Sequence, residues 1–129
     1  MNEANLILVE DWISYHVQPK HKGNDYCISG EKLSLLIECQ PLEALLVMYK
    51  ISELSDDKNV LASLGAGPLE DLLQSKHAGN YIDEVIIRAR QYENWRFALG
   101  CVWSKSFTNK DIVNKLETAL TKFYPNGRP

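Results

Sequence analysis

Cysteine is scarce in this chain. Cys27, Cys39 and Cys101 are the only three, an odd number at wide spacing, so neither a disulfide framework nor a zinc-ligand pattern follows. Long apolar runs are missing as well: none approaches the roughly 20 residues that a membrane-spanning helix needs. The chain opens without a basic and apolar leader, so no signal peptide is expected. The reducing cytoplasm is the simplest expected home, with the cysteines serving as small buried hydrophobes. Clean apolar–polar alternation is also lacking. "CISG" and "CVWSKSF" can each be read as extended, but the helical periods on either side dominate, so an all-α chain is expected.

What is present points to one ordinary globular domain. The 129 residues are 45% hydrophobic and 24% charged, enough to bury roughly two-thirds of the unfolded surface without a metal or disulfide staple. The expected domain is residues 1–129. The formal charge of −3 is unevenly placed. Between Glu53 and Glu84 seven acids face two bases, net −5. From Lys105 to the end, five bases face two acids, net +3. An acidic middle disfavours nucleic-acid binding, which rests on phosphate neutralisation, and the short basic tail is too modest to reverse this.

Apolar residues recur at helical spacing along most of the chain. Leu6, Val9, Ile13 and His16 form one stripe, flanked by Leu8, Trp12 and Tyr15, in a helix expected to end before Pro19. "PKHKGNDYCISG", residues 19–30, reads as the one long loop. Ser29 or Gly30 is expected to cap a helix carrying Leu33, Leu36 and Ile37. Pro41 then opens the next, where a missing N–H costs nothing. Its inner face is read as Leu42, Leu45, Leu46 and Tyr49. Ser55 is expected to cap a segment with Asp56 and Asp57 in its first turn and Val60, Leu61 and Leu64 inside. Asn80 is read as the cap of a helix presenting Ile82, Val85, Ile86 and Ala89, with Glu84 and Arg88 paired one turn apart. Trp95, Ala98, Leu99 and Val102 make another stripe. Thr108 with Asp111 resembles a capping box before Ile112, Leu116, Ala119 and Phe123. The expected architecture is seven or eight short helices packed as antiparallel helical hairpins.

No constellation specifies a reaction, and no catalytic residue, metal or cofactor is assigned. His16, His21 and Cys27 crowd the long loop, but a metal wants three or four ligands on rigid elements. His77 follows a helix end and is read as an interaction with terminal carbonyls. Glu70/Asp71 and Asp83/Glu84 are adjacent pairs whose side chains diverge by about 100° on a helix, so they do not converge on a substrate. Cys101 and the three tryptophans, Trp12, Trp95 and Trp103, read as core. Arg88, Arg90 and Arg96 with Lys105 point in different helical directions, and ion pairs with the acidic middle explain them better than a basic patch.

"LGAGPLEDLL", Leu64–Leu73, lacks the pattern of either a P-loop or a dinucleotide fingerprint. It reads as a corner between two helices. Gly65 is expected to stop one helix in the left-handed conformation. Gly67 is read as the next N-cap and Pro68 as its first helical residue. Glu70 and Asp71 follow in its first turn, and small Ala66 lets two helices approach.

With "AGPLEDLL" (Ala66–Leu73), "HAGNYID" (His77–Asp83) and "FALGCVW" (Phe97–Trp103), the chain resembles a family of small bacterial helical proteins known only as a domain of unknown function. The resemblance covers about residues 60–103. It departs by Ala78 between histidine and glycine and by Cys101 where glycine is common. It implies an all-helical fold and no established activity.

The functional expectation is therefore a binding protein. Its leading form is an immunity protein that neutralises a cognate bacterial toxin encoded by a neighbouring gene, a basic nuclease being the kind that an acidic face steers in. The candidate contacts are Asp56, Asp57, Glu70, Asp71, Asp83 and Glu84. A helical adaptor with a non-toxin partner and a small hydrolase with an unrecognised site are the alternatives. No nucleic-acid or membrane partner is expected.

Overall fold

The computed structural model describes residues 1–17 and 27–129. Its helices are α1 (Glu3–His16), α2 (Ile28–Cys39), α3 (Pro41–Leu54), α4 (Lys58–Leu64), α5 (Glu70–Gln74), α6 (Ala78–Gln91), α7 (Glu93–Gly100) and α8 (Lys110–Phe123). Among the described residues there is no strand. Four of the eight starts, those of α1, α2, α4 and α8, carry a side-chain cap. Asn2 accepts the N–H of Asn5 (2.8 Å), Asp57 those of Asn59 (2.8 Å) and Val60 (3.2 Å), and Asn109 those of Asp111 (3.0 Å) and Ile112 (3.3 Å). Each satisfies N–H groups that the first helical turn leaves without a partner. Pro41 opens α3 as its first residue.

Several caps differ from the sequence expectation by one to three positions. Cys27 caps α2 in place of Ser29 or Gly30, its Sγ accepting the Gly30 N–H at 3.2 Å. Asp57 caps α4, while Ser55 ends α3 and accepts the Asp57 N–H at 3.3 Å. Asn109, not Thr108, caps α8. Asn80 lies inside α6, which begins two residues earlier at Ala78. The first three share a cause, while α6 starts with no side-chain cap. Polar residues cluster at those three boundaries, and any one of them can cap; packing of the following apolar stripe selects which does.

"LGAGPLEDLL" is not a corner. Gly65–Leu69 is a π-helical stretch that joins α4 to α5 in one continuous rod. Gly65 is right-handed, φ −67° and ψ −49°, and Gly127 is the one positive-φ residue described. Pro68 explains the π geometry. It lacks an N–H and its ring crowds the preceding turn, and widening that turn by one residue accommodates both. The Glu70 N–H accordingly reaches back five residues to the Gly65 carbonyl. Gly67 and Pro68 therefore lie inside the helical run rather than at a start.

The rod runs through the middle of the molecule. Its parts touch α1, α2, α3, α6 and α7, and Leu61, Leu64, Leu69 and Leu72 are fully buried. Gly65 is needed for contact, not for its backbone angle. A Cβ there would lie 1.9 Å from the Ala98 carbonyl oxygen and 2.9 Å from the Cys101 Cβ. The rod and α7 therefore meet backbone to backbone. Ala66, expected at this contact, is exposed. On the other side of α7, Trp95 is fully buried, donates to the Val85 carbonyl at 3.0 Å and meets Tyr49 edge-on.

Candidate functional site

Of the residues expected inside, the most informative are those the fold leaves outside. Leu42 and Leu46 stand one turn apart on α3 and are 51% and 42% exposed. Ala44, Leu45, Val47, Met48 and Ile51 supply the buried face instead. α3 carries more apolar side chains than one inward stripe can hold. The excess faces outward, and half-buried Tyr49 follows on the same side.

Tyr49 leads into an aromatic–cation cluster. The Arg88 guanidinium lies 4.0 Å from the Tyr49 ring and 4.5 Å from that of Tyr92, and it pairs with Glu53 at 2.7 Å. Arg88 thus serves α3 rather than Glu84, its expected partner one turn away. Arg88 Nε is buried and finds no hydrogen-bond partner among the described residues. Burial, reinforced by the Glu84 carboxylate and opposed by Arg88, pushes the Tyr49 hydroxyl up to about 12.

Two open hollows flank Glu53. One, about 490 Å³, is bordered by Met1, Glu43, Leu46, Tyr49, Lys50 and Arg88; the other, about 460 Å³, by Asp56, Tyr92, Glu93 and Asn94. Asn94 holds the second in place by donating to the Asp56 carboxylate at 2.7 Å. Four carboxylates, Glu43, Glu53, Asp56 and Glu93, thus border a surface floored by leucine and tyrosine, against Lys50 and Arg88.

The six expected contact acids do not share one face. Asp56 borders the hollow just described, and Glu84 is close enough to Tyr49 to perturb it. Asp57 is committed to capping α4. Glu70 accepts the Trp103 N–H at 2.7 Å, tying the rod to the segment after α7. Asp71 is exposed on α5; partial desolvation of its carboxyl raises its pKa, with a Gln74 hydrogen bond opposing. Asp83 pairs with Lys115 at 3.0 Å beside a separate groove. Sequence reasoning missed Glu43, Glu53 and Glu93, which lie at or outside the ends of the acidic segment. The apolar surplus of α3 was the available signal.

The remaining candidates have structural partners. His77 donates from Nε2 to the Glu38 carbonyl at 3.3 Å. It therefore serves terminal carbonyls as expected, but those of α2. His16 stacks on Trp12, ring centroids 3.7 Å apart, and its Nδ1 meets the Trp12 carbonyl at 2.8 Å. His21 lies outside the described residues, and Cys27 is a cap. Among the described residues no group of three or more histidine, cysteine or acidic side chains gathers for a metal, and no helix is long and apolar enough to cross a membrane. Partial burial pushes the Cys101 thiol up, against the pull of Lys58, so it is held as thiol, the unreactive form. Trp103, expected in the core, is 62% exposed; Trp12 and Trp95 are buried. It follows the end of α7, where Glu70 holds its backbone and the Lys105 ammonium lies 5.7 Å from its ring.

Residues 16–123 match the family of unknown function DUF6869. The chain belongs to that family. No curated protein and no solved structure matches it. In this DUF6869 chain the "AGPLEDLL" segment lies within the central rod, and its leucines, Leu69, Leu72 and Leu73, hold the fold from within.

Proposed function

We propose that this DUF6869 protein is a protein-binding inhibitor of the immunity-protein kind, which captures a basic toxin domain on the outer face of α3 and the α6–α7 junction. The observation that carries the reading is the exposed Leu42–Leu46 stripe running into the Tyr49–Arg88–Tyr92 stack. Apolar side chains left outside at helical spacing and bordered by charge are characteristic of partner surfaces. Tyrosine and arginine are among the residues that dominate binding energy at such surfaces. The carboxylates of Glu43, Glu53, Asp56 and Glu93 supply the charge that draws in a basic partner and sets its orientation. The acids contribute steering; the apolar stripe contributes the affinity that outlasts salt screening.

The test pairs the purified chain with the product of the neighbouring gene. A stable complex is expected, with association slowing as salt rises. Leu42→Glu with Leu46→Glu should weaken it by about tenfold or more. Asp56→Lys with Glu93→Lys should chiefly slow association. No complex with that product would overturn the toxin assignment. A complex indifferent to both pairs of substitutions would overturn this face as the docking surface.

A further inference from the structure

A second surface has the opposite character. Between α6 and α8 runs an open groove of about 610 Å³, within the range of small-molecule sites. Its floor is apolar: Ile86, Ile87, Ala119 and Phe123. Ile87 is 50% exposed, so the floor is accessible from solvent.

The two ends of the groove differ in charge. Toward the helix starts, Asp83 and Lys115 neutralise each other at 3.0 Å. Toward the C-termini stand Arg90 and Lys122, and among the described residues neither has an ion-pair partner. Helix C-termini ordinarily repel anions, because their last carbonyls are unpaired. Here Arg96 removes much of that obstacle at α6. It donates to the carbonyls of Ala89 (2.9 Å) and Arg90 (3.2 Å), and its guanidinium lies 5.7 Å from the Phe123 ring. One end is therefore cationic, the other neutral with a carboxylate exposed, and the stretch between them is apolar.

We propose that this groove binds a small amphiphilic oxyanion, a medium-length apolar tail carrying a carboxylate or phosphate head. The head lies between Arg90 and Lys122, where the planar guanidinium can grip two oxygens at once. The tail runs over Ile86, Ile87 and Ala119 toward the Asp83–Lys115 pair, about 10 Å along α6 at 1.5 Å per residue. Reversal would move the anionic head from two unpaired cations to the neutral Asp83–Lys115 pair, so charge sets the direction. The site is independent of the α3 surface and shares no lining residue with it.

Calorimetric titration of the full chain with decanoate, decyl phosphate and decyltrimethylammonium, each below its micelle concentration, tests this. Saturable one-to-one binding of at least one anion is expected, with the cation about tenfold weaker or worse. Which anion binds more tightly identifies the head. Arg90→Glu with Lys122→Glu should abolish binding, and the milder Arg90→Gln with Lys122→Gln should weaken it about tenfold if the reversal pair lowers the melting temperature. Ile87→Glu should weaken it comparably, and Lys105→Glu, outside the groove, should not. Amide chemical shifts should move along α6 and α8. Equal affinity for the cationic amphiphile, full binding by the glutamine pair, or no saturable binding of either anion would each overturn the proposal.

Discussion

At the scale of single residues, Gly65 and Gly67 separate two roles that glycine can play. Neither has a positive φ, so neither is there to reach the left-handed region. A Cβ on Gly65 would collide with the α7 backbone at Ala98, whereas one on Gly67 would meet nothing within 4 Å. Gly65→Ala should therefore force the rod and α7 apart and cost about 1–3 kcal/mol or more. Gly67→Ala should be neutral or stabilise by up to about 1 kcal/mol, since a right-handed alanine only restricts the unfolded chain. Chemical denaturation of both variants checks the pair. Equal losses at the two sites would show that helix–helix approach is not what Gly65 provides.

At the scale of elements, α3 and α6 are joined where Tyr49 meets Arg88. The Tyr49 hydroxyl is raised from 10.0 to about 12 in the folded protein. Above pH 10 the unfolded chain loses this proton while the folded chain keeps it, so stability falls as pH rises from about 10 to about 12. Below pH 10 Tyr49 is neutral in both states and the contribution is fully present. Tyr49→Phe should flatten that part of the stability–pH curve relative to the unmodified protein, as measured by thermal melts across the range. A parallel slope in both proteins would remove Tyr49 as its source. The central rod is the other element-scale feature: Pro68 widens one turn of a helix without ending it. The sequence expectation of a stop and restart failed because a proline preceded by two glycines, Gly65 and Gly67, satisfies the rules for a helix boundary and for a π-turn equally well. Burial of Leu64 on one side and of Leu69 and Leu72 on the other favours the continuous form.

At the scale of the whole molecule, stability and recognition are assigned to different faces of the same helix. Leu45 is fully buried, and Leu42 and Leu46 are exposed. Leu45→Ala should cost about 2–5 kcal/mol. Leu42→Gln with Leu46→Gln should change stability by no more than about 0.5 kcal/mol per site, while weakening capture of the partner. Loss of stability in the double variant comparable to that of Leu45→Ala would place those leucines in the core and remove the basis for the docking face. The charged surface divides in the same manner. The α3 side carries the carboxylate rim, and the α6–α8 groove carries Arg90 and Lys122, although neither division follows the acidic and basic segments of the chain.

Apolar spacing along the chain was enough to establish that it is helical and which residues on most helices turn inward. Leu33 with Ile37, Val60 with Leu61 and Leu64, Ile82 with Val85 and Ile86, and Ile112 with Leu116 are all buried as their spacing requires. Periodicity is a local property, and one apolar stripe on an otherwise polar helix leaves a single orientation. α3 escapes that logic because several of its faces are apolar, and only the positions of α1, α2 and α7 around it decide which leucines stay outside. The candidate surface needed tertiary structure for the same reason. Glu53, Asp56 and Glu93 come from α3, the turn after it and the start of α7, and Arg88 of α6 closes the gap between them. Segment charge could not reveal that grouping, because which acids converge depends on how helices distant in sequence cross.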